Sequence, residues 1–369
     1  MIVKSIIFVI LLSLDTHALE LFQQGMTTRS AAMGGTSIAF VRGPDALFSN
    51  PAALAKVEGF SFNLITANAA ISTNAQNLIS TLQKTGTSFT AADLNQFYGK
   101  KIFSDVSLQG GVVVPYFGVG AYSYSTAIQS FSNPSFPFYN VDLVSDYGYI
   151  IGGAFELSKN LSFGVSGRHV KRWSGNKDIL VTDLLGSGPQ NIIKQRLSDK
   201  GKGNALDVAM LATFENSWNT SVAVVWRDLG NTRFSTTSGN GPERQEDNLI
   251  FGLSTQKELG LTTWTNAFEY KYIRNDGDIT KKLHLGTELA LPVIDLRAGY
   301  GQGYLSYGAA LDFSFLRAEV AAYTNELGAN AGQSPSDRYQ ASISLNIDMD
   351  QSFKLQTANG KKRRLNLRR

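Results

Sequence analysis

The sequence predicts an all-β fold: a transmembrane antiparallel β-barrel of about fourteen strands with an N-terminal plug in its lumen. Three observations carry that expectation: the composition, a period-2 alternation repeated along the chain, and the sorting of its connections into tight and long ones. The mean hydropathy of -0.10 argues against a bundle of membrane helices, and no apolar run reaches the roughly 18 residues that a spanning helix needs. Among 369 residues there are 35 Gly, 22 Phe and 14 Tyr, a balance that suits a barrel with aromatic rings at both membrane interfaces. There is no Cys, which removes disulfide frameworks, zinc ribbons and cysteine catalysis.

From Phe60 onward the recurring unit is a segment of about ten residues in which apolar and polar positions alternate, the pattern expected when one face meets lipid and the other a polar interior. In the segment from Ser342 to Met349, Ile343, Leu345, Ile347 and Met349 share one face, and Ser342, Ser344, Asn346 and Asp348 the other. Leu283, Leu285 and Leu289 oppose His284 and Glu288 in the same way, and Leu316, Ala318 and Val320 oppose Arg317 and Glu319. Marking every such segment predicts strands near 60–68, 106–114, 116–126, 142–157, 160–172, 203–216, 219–229, 247–258, 261–274, 280–291, 293–301, 303–313, 315–325 and 337–349. The barrel is assigned to 60–353.

The connections form an alternating series. Tight turns fall around Pro115, Ser158-Lys159, Ser217-Trp218, Leu259-Gly260, Pro292 and Ser314, and between them lie long connections at 69–105, 127–141, 173–202, 230–246 and 326–336, with shorter ones near Asp276-Gly277 and Gly301. Outer-membrane barrels sort their loops in this manner, short on the periplasmic side and long outside. The first long connection carries a helical insertion within 74–98. Leu78, Ile79 and Leu82 stand at helical spacing, and Thr90 with Asp93 forms a capping pattern ahead of Leu94, Phe97 and Tyr98. Two short amphipathic helices are expected there, either over the outer mouth or packed on the rim.

The N-terminus reads as an export signal over residues 1–18: Lys4 gives the positive charge, Ile6 to Leu14 the apolar core, and Thr16-His17-Ala18 a cleavage site before Leu19. The net charge of +4 belongs to the end of the chain. Lys361, Lys362, Arg363, Arg364, Arg368 and Arg369 crowd the last nine positions, and without those six the charge is -2. No basic face for nucleic acid is left on the body. The basic tail, 354–369, is expected either to contact anionic lipid or cell wall on the periplasmic side or to be a solvated end.

Residues 19–59 precede the first strand and show neither strand alternation nor a long helix. They hold the small-residue run Ala31-Ala32-Met33-Gly34-Gly35-Thr36-Ser37-Ile38-Ala39-Phe40, then Asp45-Ala46-Leu47-Phe48-Ser49-Asn50-Pro51-Ala52-Ala53-Leu54. Gly34-Gly35 allows close backbone approach and Asn50-Pro51 interrupts regular structure, so the segment suits an irregular plug inside a lumen. The Ala-Met-Gly-Gly run, the Asp45 region and Asn50-Pro51-Ala52 together resemble the N-terminal hatch of the long-chain fatty acid transporter (FadL-type) superfamily of bacterial outer-membrane proteins. That superfamily includes hydrocarbon channels, PorV-like secretion proteins and TraF-like conjugal-transfer proteins. The helical insertion and modest length resemble the TraF-like and PorV-like branches more than the larger fatty acid transporters.

The resemblance implies a plugged barrel that passes hydrophobic small molecules such as long-chain fatty acids, with Phe40, Phe48, Asn50, Pro51 and Ala52 lining or gating the path. The alternative is an envelope assembly, secretion or conjugal-transfer component that binds a protein partner. Met33, Gly34 and Gly35 are assigned to plug packing. Arg29, Arg42 and Asp45 need partners on the inward faces, where Arg227, Glu288, Asp295 and Arg297 are available, so a network of plug-to-lumen ion pairs is expected. No metal spacing, cofactor loop or nucleic-acid platform is present, and no catalytic residue is assigned. His284 and Glu288 stand roughly 13 Å apart along one strand, too far for a direct hydrogen bond. The Gly299-x-Gly301-x-Gly303 run reads as a hairpin turn.

Overall fold

The computed structural model describes residues 25–85, 91–181, 195–313 and 315–349. The signal segment, residues 19–24 of the expected hatch, Thr90 and the basic tail lie outside these residues. The described chain opens with three short pieces, α1 (Thr28–Ala32), α2 (Asp45–Ser49) and a 3-10 helix (Pro51–Lys56). Strand β1 (Phe60–Ser72) follows, then the insertion with α3 (Thr73–Thr85), α4 (Ala91–Leu94) and a second 3-10 helix (Asn95–Phe97). The remaining elements are β2 (Ile102–Val114), β3 (Phe117–Ser132), β4 (Phe138–Ser158), β5 (Leu161–Leu180), β6 (Asp199–Phe214), β7 (Thr220–Arg227), β8 (Ser235–Ser238), β9 (Asn248–Leu259), β10 (Thr262–Tyr270), α5 (Ile279–Lys282), β11 (Leu283–Ala290), β12 (Ile294–Gly301), β13 (Tyr304–Asp312), β14 (Leu316–Glu326) and β15 (Pro335–Met349).

Each barrel strand pairs antiparallel with its neighbour in the chain. β1 pairs with β15, and β5 pairs with β6 to complete a closed ring. Of the 15 strands in the sheet, β8 alone stands outside the ring, paired with the outer end of β6, which leaves fourteen in the wall. Closure leaves no open edge through the paired body of the wall, where backbone groups are satisfied between strands; beyond it, the outer end of β5 past Ser174 and the outer side of β8 are edges among the described residues.

Burial shows which way the side chains turn. Along β15, Ser336, Arg338, Gln340, Ser342 and Ser344 are buried, whereas Tyr339 and Ile343 are exposed. The same inversion recurs elsewhere: Asp146, Asp207, Glu269 and Glu288 are buried, while Ile151, Leu206, Leu285, Leu296 and Val320 face outward. An apolar exterior around a polar interior is unfavourable in water and is what a bilayer selects. The chain is an outer-membrane β-barrel. All the long connections lie at one end, joined there by the two-residue turn Gln302-Gly303, and the other end carries short turns, so the end carrying the insertion faces outward.

Three differences from the sequence reading have physical causes. β3, β4 and β5 run farther outward than expected, closing the supposed loop 127–141 to residues 133–137. Above the bilayer no lipid imposes alternation, so these strand ends carry no period-2 signal. β7 and β10 stop early because Asp228 (φ 52) and Tyr272 (φ 53) adopt left-handed backbone that a strand does not accommodate. Residues 279–282 are helical, not strand, with Asp278 capping α5 by accepting from the Thr280 amide at 2.8 Å.

Candidate functional site

The plug is an irregular backbone inside the lumen, and such a backbone is stable only where its amides and carbonyls find protein partners. Inward side chains of the wall supply them almost residue by residue. Ser306 Oγ donates to Ala32 O at 3.1 Å and accepts from Gly34 N at 2.9 Å. His284 Nδ1 meets Gly34 O at 2.6 Å, and Lys271 Nζ donates to Gly35 O. Glu269 Oε1 accepts from Ser37 N and, at 2.6 Å, from Ile38 N, while Lys271 stands 3.5 Å from its other oxygen. Ser254 Oγ donates to Ala39 O at 3.0 Å. The plug backbone from Ala32 to Ala39 is thus read by side chains of β9, β10, β11 and β13.

Close approach requires that the facing wall carry no side chains. A Cβ at Gly286 would stand 2.6 Å from Met33 O, one at Gly308 2.6 Å from Ala32 Cβ, and ones at Gly299 and Gly301 would run into the Gly34 backbone. Gly34 (φ +67) and Gly35 (φ +97) take the left-handed conformations that bring the chain against this smooth patch. Met33 fills the adjoining space with Phe40 and Ala267. Gly299 and Gly301, which the sequence presents as part of a hairpin, are therefore a seat for the plug. No local pattern distinguishes such a seat from a turn.

The expected ion-pair network is present in part. Arg29 of α1 makes a two-point contact with Glu288, Nε to Oε2 at 2.8 Å and Nη2 to Oε1 at 2.5 Å. Glu288 also accepts from Arg297 Nε at 2.7 Å, and Arg297 reaches Asp295 at 3.2 Å and Glu319 at 2.9 Å. Arg317 closes the group on Asp295, Asp312 and Glu319. Charges of both signs interleave, so each is compensated where water is scarce. The other three expected partners behave differently. Arg42 donates to the Gln256 amide oxygen at 2.6 Å, Asp45 accepts from Gln109 at 3.3 Å, and Arg227 donates to the plug carbonyl Ser49 O at 3.1 Å. Neutral amides and a backbone carbonyl face these groups where a counter-charge was expected. Lys56, which the sequence reading did not single out, pairs with Glu156 of β4 at 3.0 Å.

The residues expected to line a path also separate. Asn50 and Ala52 are fully buried, and Pro51 is buried with them. The Asn50 amide donates to Ile38 O at 2.7 Å and its oxygen accepts from Ala52 N at 3.0 Å, while Pro51 and Ala52 press on the wall where Gly164 has no side chain. These three hold the plug together and do not line a passage. Phe40 is buried, with the Arg29 guanidinium 4.7 Å over its ring, yet it borders two cavities. It borders a cavity of about 140 Å³ beside Arg29, Asp45 and Glu288. It also borders the vestibule of about 800 Å³ at the tight-turn end, beside Ala53, Val57 and Phe214. Phe48 lines a small cavity with Tyr122, Tyr124 and Ile150. On the outer side, a cavity of about 40 Å³ lies between Met26, Gly35, Phe103, His284 and Tyr323. Among the described residues no group of three or more His, Asp or Glu is placed to hold a metal ion.

No protein-family model and no curated protein matches the chain. Solved structures do. The Pseudomonas putida toluene transporter TodX superposes with a TM-score of 0.53 at 14% identity, over 90% of this chain and 99% of that one. The CymD monoaromatic hydrocarbon channel superposes with a TM-score of 0.52 at 13% identity, over 87% and 97%. The chain has their fold. At this identity the likeness is one of fold and does not extend to individual side chains.

Proposed function

We propose that this protein is a FadL-type channel that admits hydrophobic small molecules through the outer membrane, with the plug as the barrier and Phe40 at its inner constriction. The observation that carries the reading is the position of Phe40, which borders both the cavity of about 140 Å³ inside the lumen and the vestibule of about 800 Å³ below it. Arg42, Gly43, Asn219, Gln256 and Asp348 border both chambers as well, and among them the Phe40 ring is the apolar surface an apolar solute would meet. The shared fold with the toluene transporter and the monoaromatic hydrocarbon channel supports the same class of cargo. Long-chain fatty acids, implied by the hatch resemblance, are the second cargo to compare.

The test is equilibrium binding of toluene and of oleate to the purified barrel, followed by flux into proteoliposomes. Saturable binding of one of them, with flux changed by Phe40→Ala and by Phe40→Trp in opposite directions, is the expected result. Absence of saturable binding for both would end the proposal.

A second reading, an envelope component holding a protein partner as the PorV-like and TraF-like proteins are named to do, is favoured by the outer loop 327–334. Glu326 accepts there from the amides of Gly328, Gly332, Gln333 and Ser334 at 2.6 to 3.1 Å, which fixes the loop as a ready-made surface. Recovery of a stoichiometric partner after crosslinking in cells, lost when this loop is replaced, would favour that reading.

A further inference from the structure

On the outside of the barrel, among the described residues, three lysines stand together with no acid facing them across the strands. Lys171 of β5 is directly opposite Lys202 of β6, and Lys200 is opposite Trp173 in the next pair on the same face. Directly opposed residues on neighbouring antiparallel strands have Cβ atoms about 5 Å apart, and like charges so placed destabilise the pairing. The inward positions between them, Val170, Arg172 and Gly201, are buried, so the lysines point away from the lumen. Their lateral neighbours are Tyr147 on β4 and Ser235 and Ser238 on β8. Among the described residues none of the three lysines forms an ion pair.

Their height in the membrane follows from the same strands. Toward the tight-turn end, the outward positions are apolar, with Leu206 and Met210 on β6 and Ile151 on β4. Next come Tyr149 and Tyr147, 60% and 50% exposed, and beyond them Trp173 of β5, half-buried against Val141, Ile179 and Leu197 with its indole N–H donating to Leu197 O. Aromatic side chains mark the level at which hydrocarbon gives way to headgroups. The lysines lie at and just beyond that level on the outward side. Lys171 Nζ lies 5.8 Å from the Tyr147 ring and Lys200 Nζ 6.0 Å from the Trp173 ring, so the aromatic faces orient two of the ammonium groups.

A row of uncompensated positive charge at headgroup height, resting on an aromatic belt, is complementary to fixed phosphate, and the lipid bearing phosphates at that level in the outer leaflet is the phosphorylated glycolipid, lipopolysaccharide. We infer that Lys171, Lys200 and Lys202 bind the phosphate groups of one such glycolipid against β4, β5 and β6, relieving the repulsion between the paired lysines. This inference concerns the outer wall and is independent of what passes through the lumen.

The test uses the full chain purified in detergent, with bisphosphorylated lipid A, dephosphorylated lipid A and phosphatidylglycerol as probes in a direct binding assay. At about 1 kcal/mol for each lysine near an anionic surface, the Lys171→Gln, Lys200→Gln, Lys202→Gln triple variant should bind bisphosphorylated lipid A about a hundredfold more weakly. A triple Lys→Arg variant should retain binding. Wild-type binding should also fall when ionic strength rises from about 0.1 M to about 1 M, which shortens the screening length from about 10 Å to about 3 Å. That readout needs no variant to fold; heat-modifiable gel mobility confirms that the variants have. Equal binding by the Gln variant, equal binding of dephosphorylated lipid A, equal binding of phosphatidylglycerol, or indifference to salt would each overturn the inference.

Discussion

Arg29 and Glu288, 259 residues apart in the chain, meet through two parallel hydrogen bonds of 2.8 and 2.5 Å. Geometry of this kind is the strong form of an Arg–carboxylate contact, and here it ties the plug to the wall. The two ends are not equivalent. Glu288 also serves Arg297, whereas Arg297 keeps Asp295 and Glu319. Replacing Glu288 by Ala strips the plug arginine of its partner and weakens the wall cluster, a loss of about 3–5 kcal/mol by the usual cost of breaking a buried pair. Arg29→Ala leaves Glu288 paired with Arg297 and should cost about half as much. Urea titration in lipid of the two single variants and the double checks the order. Equal losses would show that Glu288 is not shared.

The seat formed by Gly299 and Gly301 makes a different kind of prediction, because the obstacle there is backbone and not a flexible side-chain end. Gly299→Ala has no room while the plug is in place, and β12 itself is compatible with Ala. The barrel should therefore fold, with heat-modifiable mobility retained, while the plug shifts and single-channel conductance rises above that of the wild type. A closed, wild-type conductance would mean that the wall gives way instead.

How far the sequence exposes this architecture can be judged from particular residues. The alternation of Ile343 against Ser344 marks the lipid and lumen faces of β15 because bilayer and interior demand opposite side chains at successive positions. Ser235–Ser238 of β8 escapes notice because all four residues are polar and exposed, so no face is selected. Glu269 and Lys271 can be recognised as inward, but their partners are backbone atoms of Gly35, Ser37 and Ile38, which have no residue type to read. Asn50-Pro51-Ala52 signals a break in regular structure without saying whether the break borders a passage or closes a knot.

For Asn50 the structure indicates a knot. Its side chain satisfies Ile38 O and Ala52 N together in a site without solvent. Asn50→Ala removes both bonds and leaves a carbonyl and an amide unpartnered, each worth about 1–3 kcal/mol when buried. Hydrogen exchange at the Ala52 amide should accelerate markedly, while exchange in β15 stays as in the wild type. Asn50→Asp keeps the acceptor and loses the donor, so it should protect Ala52 and still loosen Ile38. An unchanged Ala52 rate in Asn50→Ala would refute the knot.

At the outer rim, Asp278 joins two loops. It caps α5 through the Thr280 amide and accepts from the Ala331 amide of loop 327–334 at 2.8 Å. The Ala331 amide first, and the Thr280 amide after it, hold the Asp278 carboxyl below its ordinary value of 3.8. A carboxyl depressed in the folded state contributes fully above its unfolded pKa and loses that contribution as the pH falls through the lower folded value. The junction should therefore be unchanged from neutral pH to about 4 and open only below it. A spin label at Asn330 reports this directly, with its spectrum constant down to about pH 4 and sharpening as the pH falls further. Asp278→Ala should show the sharpened spectrum already at neutral pH. A wild-type label indifferent to acid, or an Asp278→Ala label as restrained as the wild type, would show that Lys281, which donates to Gly328 O at 2.5 Å, holds the loop without help from Asp278.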